Sequence, residues 1–239
     1  MNFTIKIFSI LLLLCTGMLF GQSTGFVVGG EGIALFPAGE MTKRFTQTIG
    51  YAVSFREAHN NNPRWGGFVE YAVMDEENRD KLFIKRKDTL NAVERDLVFP
   101  LKDFGMSFEY IGLGVTANYS IISGTVIDLN GRVSFGIYNW KFTRDAYFDS
   151  IKVDTGSVTP KFKLIDVIRV PASKQQDWSG GIDIGLETDI VAFSPFIVSA
   201  GVRYKVILAE LWPTLALDME NVSGLQSAQV TVGLKYLIE

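Results

Sequence analysis

Residues 177–190 read DWSGGIDIGLETDI, and the character of the side chains alternates along this stretch with a period of two. One parity is uncharged and mainly apolar: Trp178, Gly180, Ile182, Ile184, Leu186, Thr188 and Ile190. The other parity is small or acidic: Asp177, Ser179, Gly181, Asp183, Gly185, Glu187 and Asp189. Since successive side chains of a β-strand point to opposite faces, the stretch predicts a strand with one apolar and one acidic face. A soluble barrel would turn the apolar face inward, whereas a membrane barrel would turn it toward lipid.

The same alternation recurs along the chain and predicts eight strands, at 25–36, 43–57, 64–75, 104–122, 126–142, 177–190, 195–208 and 228–238. After the first connection, short and long connections alternate, and the long ones at 76–103 and 143–176 carry many charges. Transmembrane barrels combine an even strand number with short periplasmic turns and longer outer loops. We therefore predict an all-β fold, a single up-and-down antiparallel transmembrane β-barrel of about eight strands. The long loops contain alternating pieces themselves, which predicts hairpins that project past the membrane.

Two of the predicted strands change phase partway along. In 104–122, Phe108 and Tyr110 occupy even positions, whereas Leu113 and Val115 occupy odd ones. The strand 126–142 shows a comparable switch between its odd aliphatic and its even aromatic residues. A β-bulge would produce this pattern, and so would aromatic side chains packed inside a narrow barrel.

The less apolar faces of these strands are rich in glycine, serine and threonine and carry charges of both signs. Such residues suit a narrow lumen, in which small side chains leave room for a few long charged ones. We predict that nine residues form a lumen charge network: Glu31, Arg56, Glu70, Asp183, Glu187, Asp189, Arg203, Lys205 and Lys235. Acids and bases of neighbouring strands would then pair, which offsets the cost of burying them. The alternative is a solvated face with chance charge patterning.

The N-terminal segment differs from the rest of the chain. Residues 1–21 combine an early Lys6 with an apolar run and a small-residue exit, which predicts a cleaved signal peptide before a barrel domain at 22–239. The apolar run is short for a transmembrane anchor and no basic cluster follows it. Lipid attachment at Cys15 is disfavoured because Leu14 precedes it where a small residue is expected, and the mature chain then has no thiol.

Aromatic residues concentrate near strand ends, which suggests interfacial girdles; they are Phe26, Phe36, Phe45, Trp65, Trp140, Phe142, Trp178, Tyr204 and Tyr236. Several stretches also resemble a known family: GIALFPAGEMTKRFTQTIGYAVSF, GFVEYAV, EYIGLGVTANYSII, GRVSFGIYNWKF and VTVGLKYLI. In these the chain, from 25 to 238, resembles the small outer-membrane β-barrel proteins of Gram-negative bacteria, the OmpX/OmpW-like group. The resemblance implies residence in the outer membrane, contact with its lipid and insertion by the barrel-assembly machinery. It implies no catalytic residue, and the chain departs from the family's usual terminal aromatic, ending Leu237-Ile238-Glu239.

The sequence offers little for catalysis. The one histidine, His59, falls in a predicted periplasmic turn, and the usual nucleophile and base pairings lack members. We expect no enzyme activity, no cofactor and no metal. The near balance of 23 basic and 26 acidic residues is untypical of a nucleic-acid-binding protein. Three functions stay open: a structural or surface-interaction barrel with a filled lumen, a narrow channel for small or apolar solutes, and a soluble periplasmic ligand-binding barrel.

Overall fold

The computed structural model describes residues 25–58, 62–90, 93–154, 162–217 and 219–238. The strands in these ranges are β1 (Phe26–Ala38), β2 (Thr48–Glu57), β3 (Arg64–Met74), β4 (Phe83–Leu90), β5 (Val93–Pro100), β6 (Met106–Ser123), β7 (Ile127–Arg144), β8 (Tyr147–Asp154), β9 (Phe162–Val170), β10 (Ser173–Phe193), β11 (Phe196–Leu211) and β12 (Val222–Ile238). Short 3-10 helices span Gly39–Lys43 and Leu215–Leu217. The predicted signal peptide at 1–21, including Cys15, and the turn residue His59 lie outside the described residues and stay predictions.

Eight strands close into one barrel in the order β1-β12-β11-β10-β7-β6-β3-β2. Every neighbouring pair is antiparallel, and β12 pairs with β1 from Ile238 opposite Phe26 to Gln226 opposite Ala38. Closure leaves the barrel without an edge strand whose backbone groups would stay unpaired. The predicted eight-stranded antiparallel barrel is confirmed.

The two ends of the barrel differ in the length of their connections. Short turns join β2 to β3, β6 to β7 and β10 to β11, and β1 begins and β12 ends at this short-turn end. The opposite, long-loop end carries two separate two-stranded sheets, β4–β5 and β8–β9, which are the projecting hairpins predicted from the sequence. The second strand begins at Thr48 rather than at 43, because the chain first forms the 3-10 helix Gly39–Lys43.

The barrel wall separates an apolar outside from a polar inside. Outward side chains such as Ile49 and Val232 are 66% and 60% exposed. In the stretch 177–190, Ile182, Ile184 and Leu186 also point outward and are exposed. On β6 the outward apolar residues run from Ile111 to Ile121. At a strand rise of about 3.4 Å and a tilt near 40°, that stretch is about 25 Å tall, which matches the apolar band of transmembrane barrels.

The phase change in β6 and β7 has a packing cause. These strands pair without a register shift from Met106 opposite Arg144 to Ser120 opposite Asn130, and the irregularity lies beyond, between Ser120 and Ile122. The even positions therefore face inward throughout, and Phe108 is 1% exposed. Interior aromatics, rather than a bulge, produce the change in sequence pattern. They fill the lumen toward the long-loop end, whereas polar residues fill it toward the short-turn end.

Candidate functional site

The barrel interior has two zones, which we call the charged layer and the aromatic plug. All nine residues of the predicted charge network lie inside the barrel wall and are buried: Glu31, Arg56, Glu70, Asp183, Glu187, Asp189, Arg203, Lys205 and Lys235. Small residues on the same inward faces leave the space for these long side chains, as at Gly185, where an added Cβ would lie 2.7 Å from Cγ of Arg203.

The part of the charged layer near the short-turn end is organised around two acids of β10. Arg56 Nη1 donates to Glu187 Oε1 at 3.2 Å, and its Nη2 donates to Asp189. Lys235 Nζ reaches both carboxylates, at 2.5 Å from Glu187 Oε1 and 3.0 Å from Asp189 Oδ1. Glu187 and Asp189 therefore both bind the same two cations, Arg56 and Lys235. This arrangement compensates buried charge better than an isolated pair does.

A second group lies further along the lumen, around Glu31. Arg203 Nη2 donates to Glu31 Oε2 at 3.0 Å, and Arg132 Nη1 lies 3.7 Å from Glu31 Oε1. The same Nη1 of Arg132 lies 3.4 Å from Glu187 Oε2, so this arginine joins the two acid centres. Lys205 is paired with Glu70.

Lys235 pairs with acids of β10 as the sequence predicts, but two other cations do not pair with a neighbouring strand. Arg56 on β2 meets acids of β10, and Lys205 on β11 meets Glu70 on β3; in each case the two strands are four positions apart in the ring of eight. Asp183 stands directly opposite Lys205 in the β10–β11 register, yet its carboxylate oxygens have no hydrogen-bond partner in the described structure. Because an eight-stranded lumen is narrow, long side chains cross it and select partners on the opposite wall.

Arg132 is a member of the charged layer that the sequence interpretation missed. It is buried and shares the inward parity of Ser134, opposite to the outward Phe135. That parity was readable in the sequence and would have identified it. Arg64 was missed in the same way, and its Nη1 lies 3.9 Å from Asp128 Oδ2 near the short-turn end.

The aromatic plug follows the charged layer toward the long-loop end. It consists of the buried rings of Phe108, Tyr110, Tyr138, Trp140 and Phe142. Neighbouring rings are in contact, with centroid distances of 5.8 Å for Tyr110–Tyr138 and 6.2 Å for Phe108–Trp140. Lys205 joins the two zones, because its Nζ lies 5.0 Å from the ring centre of Tyr138 while it pairs with Glu70.

Tyr138 is held in a gap left by three glycines on adjacent strands. A Cβ added at Gly112 on β6 would lie 2.4 Å from Cδ1 of Tyr138, and one at Gly181 on β10 would lie 2.6 Å from Cε2. A Cβ at Gly136 on β7 would lie 3.0 Å from Cε2. Tyr138 is 0% exposed, so its ring is fully enclosed by its neighbours. The ring lies where side chains at the three glycine positions would otherwise be.

Side chains from the connecting segments cover the plug at the long-loop end. Phe45 packs edge-on against Phe142 at 6.4 Å, and Met41 and Leu217 are each 1% exposed. The cavity among the charged residues, lined in part by Arg56 and Lys235, has a volume of about 10 Å³, which is room for about one water. The interior is thus packed through the charged layer and the aromatic plug.

The aromatic positions near strand ends divide between two roles. Trp65, Trp178, Tyr204 and Tyr236 point outward and are exposed, as a girdle requires. For Phe45, Trp140 and Phe142 the girdle interpretation was wrong, because Trp140 and Phe142 are buried inside the plug and Phe45 is buried over it. Aromatic identity alone does not distinguish an interfacial ring from a lumen-filling one.

The projecting hairpins are joined by an arginine. Arg86 on β4 donates from Nε to Asp166 Oδ2 on β9 at 2.8 Å and from Nη2 to the Ala216 carbonyl at 3.3 Å. This contact lowers the pKa of the Asp166 carboxyl, because the carboxylate accepts a hydrogen bond from a cation. The buried side chains of Ile84 on β4 and Ile168 on β9 belong to the same apolar cluster as the plug. The loops therefore form a connected surface over the barrel.

The described residues contain neither a metal-binding cluster nor a membrane-spanning helix. In the part of the chain that the structure describes, no group of three or more histidine, cysteine, aspartate or glutamate side chains is placed to hold a metal ion. Within the same ranges, no helix is both long enough and apolar enough to cross a membrane.

An apolar outer face about 25 Å tall around a charged, packed interior defines the class of this chain as an outer-membrane-type transmembrane β-barrel. The same two faces disagree with a soluble ligand-binding barrel, whose apolar face is internal. No protein-family model matches the chain. No curated protein sequence matches it either.

Solved structures with similar folds include three bacterial surface or outer-membrane proteins. The Neisserial surface protein A is 9% identical, with a TM-score of 0.43 over 88% of this chain and 96% of that one. The attachment invasion locus protein Ail of Yersinia pestis is 13% identical, with a TM-score of 0.39 over 90% and 97%. The outer membrane protein OprG from Pseudomonas aeruginosa is 10% identical, with a TM-score of 0.43 over 91% and 97%. At these values the similarities assign no function, and the class rests on the two faces of the barrel.

Proposed function

We propose that this chain is an integral protein of the Gram-negative outer membrane that acts as a surface-interaction barrel through its long-loop end. The observation that carries the proposal is the packed lumen. A barrel whose interior is filled by its own side chains offers no solute path, so its function falls to the surfaces outside the membrane. The long-loop end is then extracellular, and the barrel-assembly machinery inserts the exported chain.

The long-loop end has the properties of a binding surface. Its hairpins extend past the apolar belt and are held together by Arg86 and a shared apolar cluster. They nevertheless expose large apolar side chains such as Val98 and Phe148, and the segment that follows β11 exposes Trp212. Such side chains on a preorganised scaffold are typical of protein recognition, because little ordering is needed on binding.

The topology can be tested by thiol labelling, since the mature chain is expected to carry no cysteine. Val98→Cys on β5 should react with a membrane-impermeant maleimide on intact cells, because this exposed position lies at the long-loop end. Thr125→Cys, in the exposed short turn between β6 and β7, is the matched control and should react only after the outer membrane is permeabilised. The reverse labelling pattern would refute the orientation. Recovery of the protein in the aqueous phase without detergent would refute the membrane location.

The filled lumen can be tested by planar-bilayer recording of the refolded protein. We expect no steady current from the unaltered chain, because the plug side chains occupy the lumen. A heat-modifiable gel shift on the same preparation establishes that the barrel is folded. Steady, solute-selective currents from folded protein would favour the narrow channel instead.

A further inference from the structure

A cavity of about 110 Å³ lies at the long-loop end, above the aromatic plug. Its walls come from the 3-10 helix Gly39–Lys43 and from Leu217 and the segments 81–83 and 219–222. Its lining combines the apolar side chains of Leu82, Leu217 and Val222 with charged groups. The volume is several times that needed for one water, so the cavity has room for a small oxyanion.

Arg44 lines this cavity and is 2% exposed. Its Nη2 donates to the Glu220 carbonyl at 2.7 Å, and its guanidinium lies 5.5 Å from the ring centre of Phe142. In the described part of the chain, no carboxylate lies within salt-bridge distance of Arg44. Desolvation, together with the charge of nearby Arg144, lowers the pKa of Arg44 to about 10.

Arg44 differs in this respect from the other buried cations among the described residues. Those cations are Arg56, Arg132, Arg203, Lys205 and Lys235, and each pairs with a carboxylate. A buried charge without a counter-charge is costly, and a carbonyl and a ring face compensate it only in part. Glu40 acts on Arg44 only from beyond salt-bridge distance, so among the described residues Arg44 has no direct carboxylate partner, and a ligand can supply one.

We propose that this cavity binds a single small anionic group, a phosphate, sulfate or carboxylate, with Arg44 as its principal partner. Lys43 and Lys81 also line the cavity, against two acidic residues, Glu40 and Glu220, so the described lining residues carry an excess of one positive charge. Glu40 already neutralises Lys43 at 2.5 Å, whereas Lys81 Nζ contacts the Thr42 hydroxyl at 3.4 Å and has no carboxylate within salt-bridge distance among the described residues. Arg44 itself is buried, and its low exposure to water strengthens a charge-assisted hydrogen bond from its guanidinium.

The test is a titration of the refolded full-length barrel with inorganic phosphate, at constant ionic strength, in zwitterionic micelles and in nanodiscs with or without anionic lipid. Arg44→Gln should raise the Kd for phosphate about tenfold, the effect of losing one charge-assisted hydrogen bond. The matched control is Arg169→Gln, because exposed Arg169 also lies over a ring, that of Phe148 at 5.3 Å, but does not line the cavity. Its Kd should not change. If Arg44→Gln does not refold, Lys81→Gln replaces an exposed side chain and should raise the Kd about two- to fivefold.

Binding to phosphate in zwitterionic micelles that depends on Arg44 supports a site for a free anion. The protein with Arg44 intact could bind phosphate in zwitterionic nanodiscs but not in anionic ones. That result supports a site that anionic lipid headgroups also occupy. Binding that is absent in all three environments, or that falls equally in Arg169→Gln, overturns the proposal. This site does not depend on a closed lumen or on the proposed function, so the conductance and labelling results leave it unaffected.

Discussion

Replacing Tyr138 with alanine should destabilise the barrel more than any other single change in the aromatic plug. The ring occupies the gap formed by Gly112, Gly136 and Gly181, and it contacts Lys205 and Tyr110. The strands around the gap are fixed by the antiparallel ladders of β6 with β7 and of β7 with β10. The wall cannot move inward to close the space, so the substitution leaves a cavity.

The magnitude follows from the buried area. A buried aromatic side chain removes roughly 150–250 Å² from water, which at about 25 cal/mol per Å² corresponds to about 4–6 kcal/mol. Alanine keeps part of that area, and water drawn toward Lys205 and Glu70 would offset some of the loss. We therefore expect Tyr138→Ala to lower the free energy of unfolding by about 4 kcal/mol, within the range known for aromatic-to-alanine changes.

Tyr138→Phe is the matched control, because the hydroxyl of Tyr138 has no hydrogen-bond partner among the described residues. Removing an unpartnered buried hydroxyl should change stability by less than about 0.5 kcal/mol or raise it slightly. Equilibrium urea unfolding of the refolded protein in lipid vesicles, followed by tryptophan fluorescence, measures both variants. Equal losses for the alanine and phenylalanine variants would refute the reasoning, since the hydroxyl rather than the ring would then carry the stability.

Three further predictions follow from single contacts. Lys235→Met leaves Glu187 and Asp189 with one cation fewer and should cost about 3 kcal/mol in the same unfolding assay. The control Lys141→Met breaks the partly exposed pair with Glu109 at 2.6 Å and should cost less than about 0.5 kcal/mol. Equal costs for the two variants would contradict the pairing of Lys235. Gly112→Ala places a Cβ against the Tyr138 ring and should cost about 1–3 kcal/mol, and Tyr138→Leu in the same chain should recover part of that cost, so additive losses would argue against the contact. Because Arg86 lowers the pKa of Asp166, the ion pair that links the hairpins should be present above about pH 4 and be lost as the pH falls through the lowered pKa. Limited proteolysis of the hairpins should therefore be faster at low pH. An equal pH dependence in Arg86→Gln would exclude this cause.

The sequence determined the strands and their two faces. Alternation with period two placed Ile182, Ile184 and Leu186 outside and Asp183 and Glu187 inside, and the structure has the same division. This succeeds because each side chain's face follows from its position in the strand, which is a local property. The same period-two alternation gave the number of barrel strands, and the alternation of short and long connections along the chain gave the two ends of the barrel. Arg132 was missed although its parity was visible, so that omission was one of interpretation.

Only the tertiary structure decided which inward residues meet. Arg56 meets Glu187 and Asp189 across the lumen, and Lys205 meets Glu70 rather than the Asp183 that stands opposite it on the next strand. Partners on opposite walls depend on strand order, stagger and lumen width, and none of these is a local property. The same holds for Trp140 and Phe142, whose rings read as an interfacial girdle until closure placed them in the plug. The stretch 177–190 thus fixed which face is acidic, but closure of the eight strands selected the cations that its carboxylates meet.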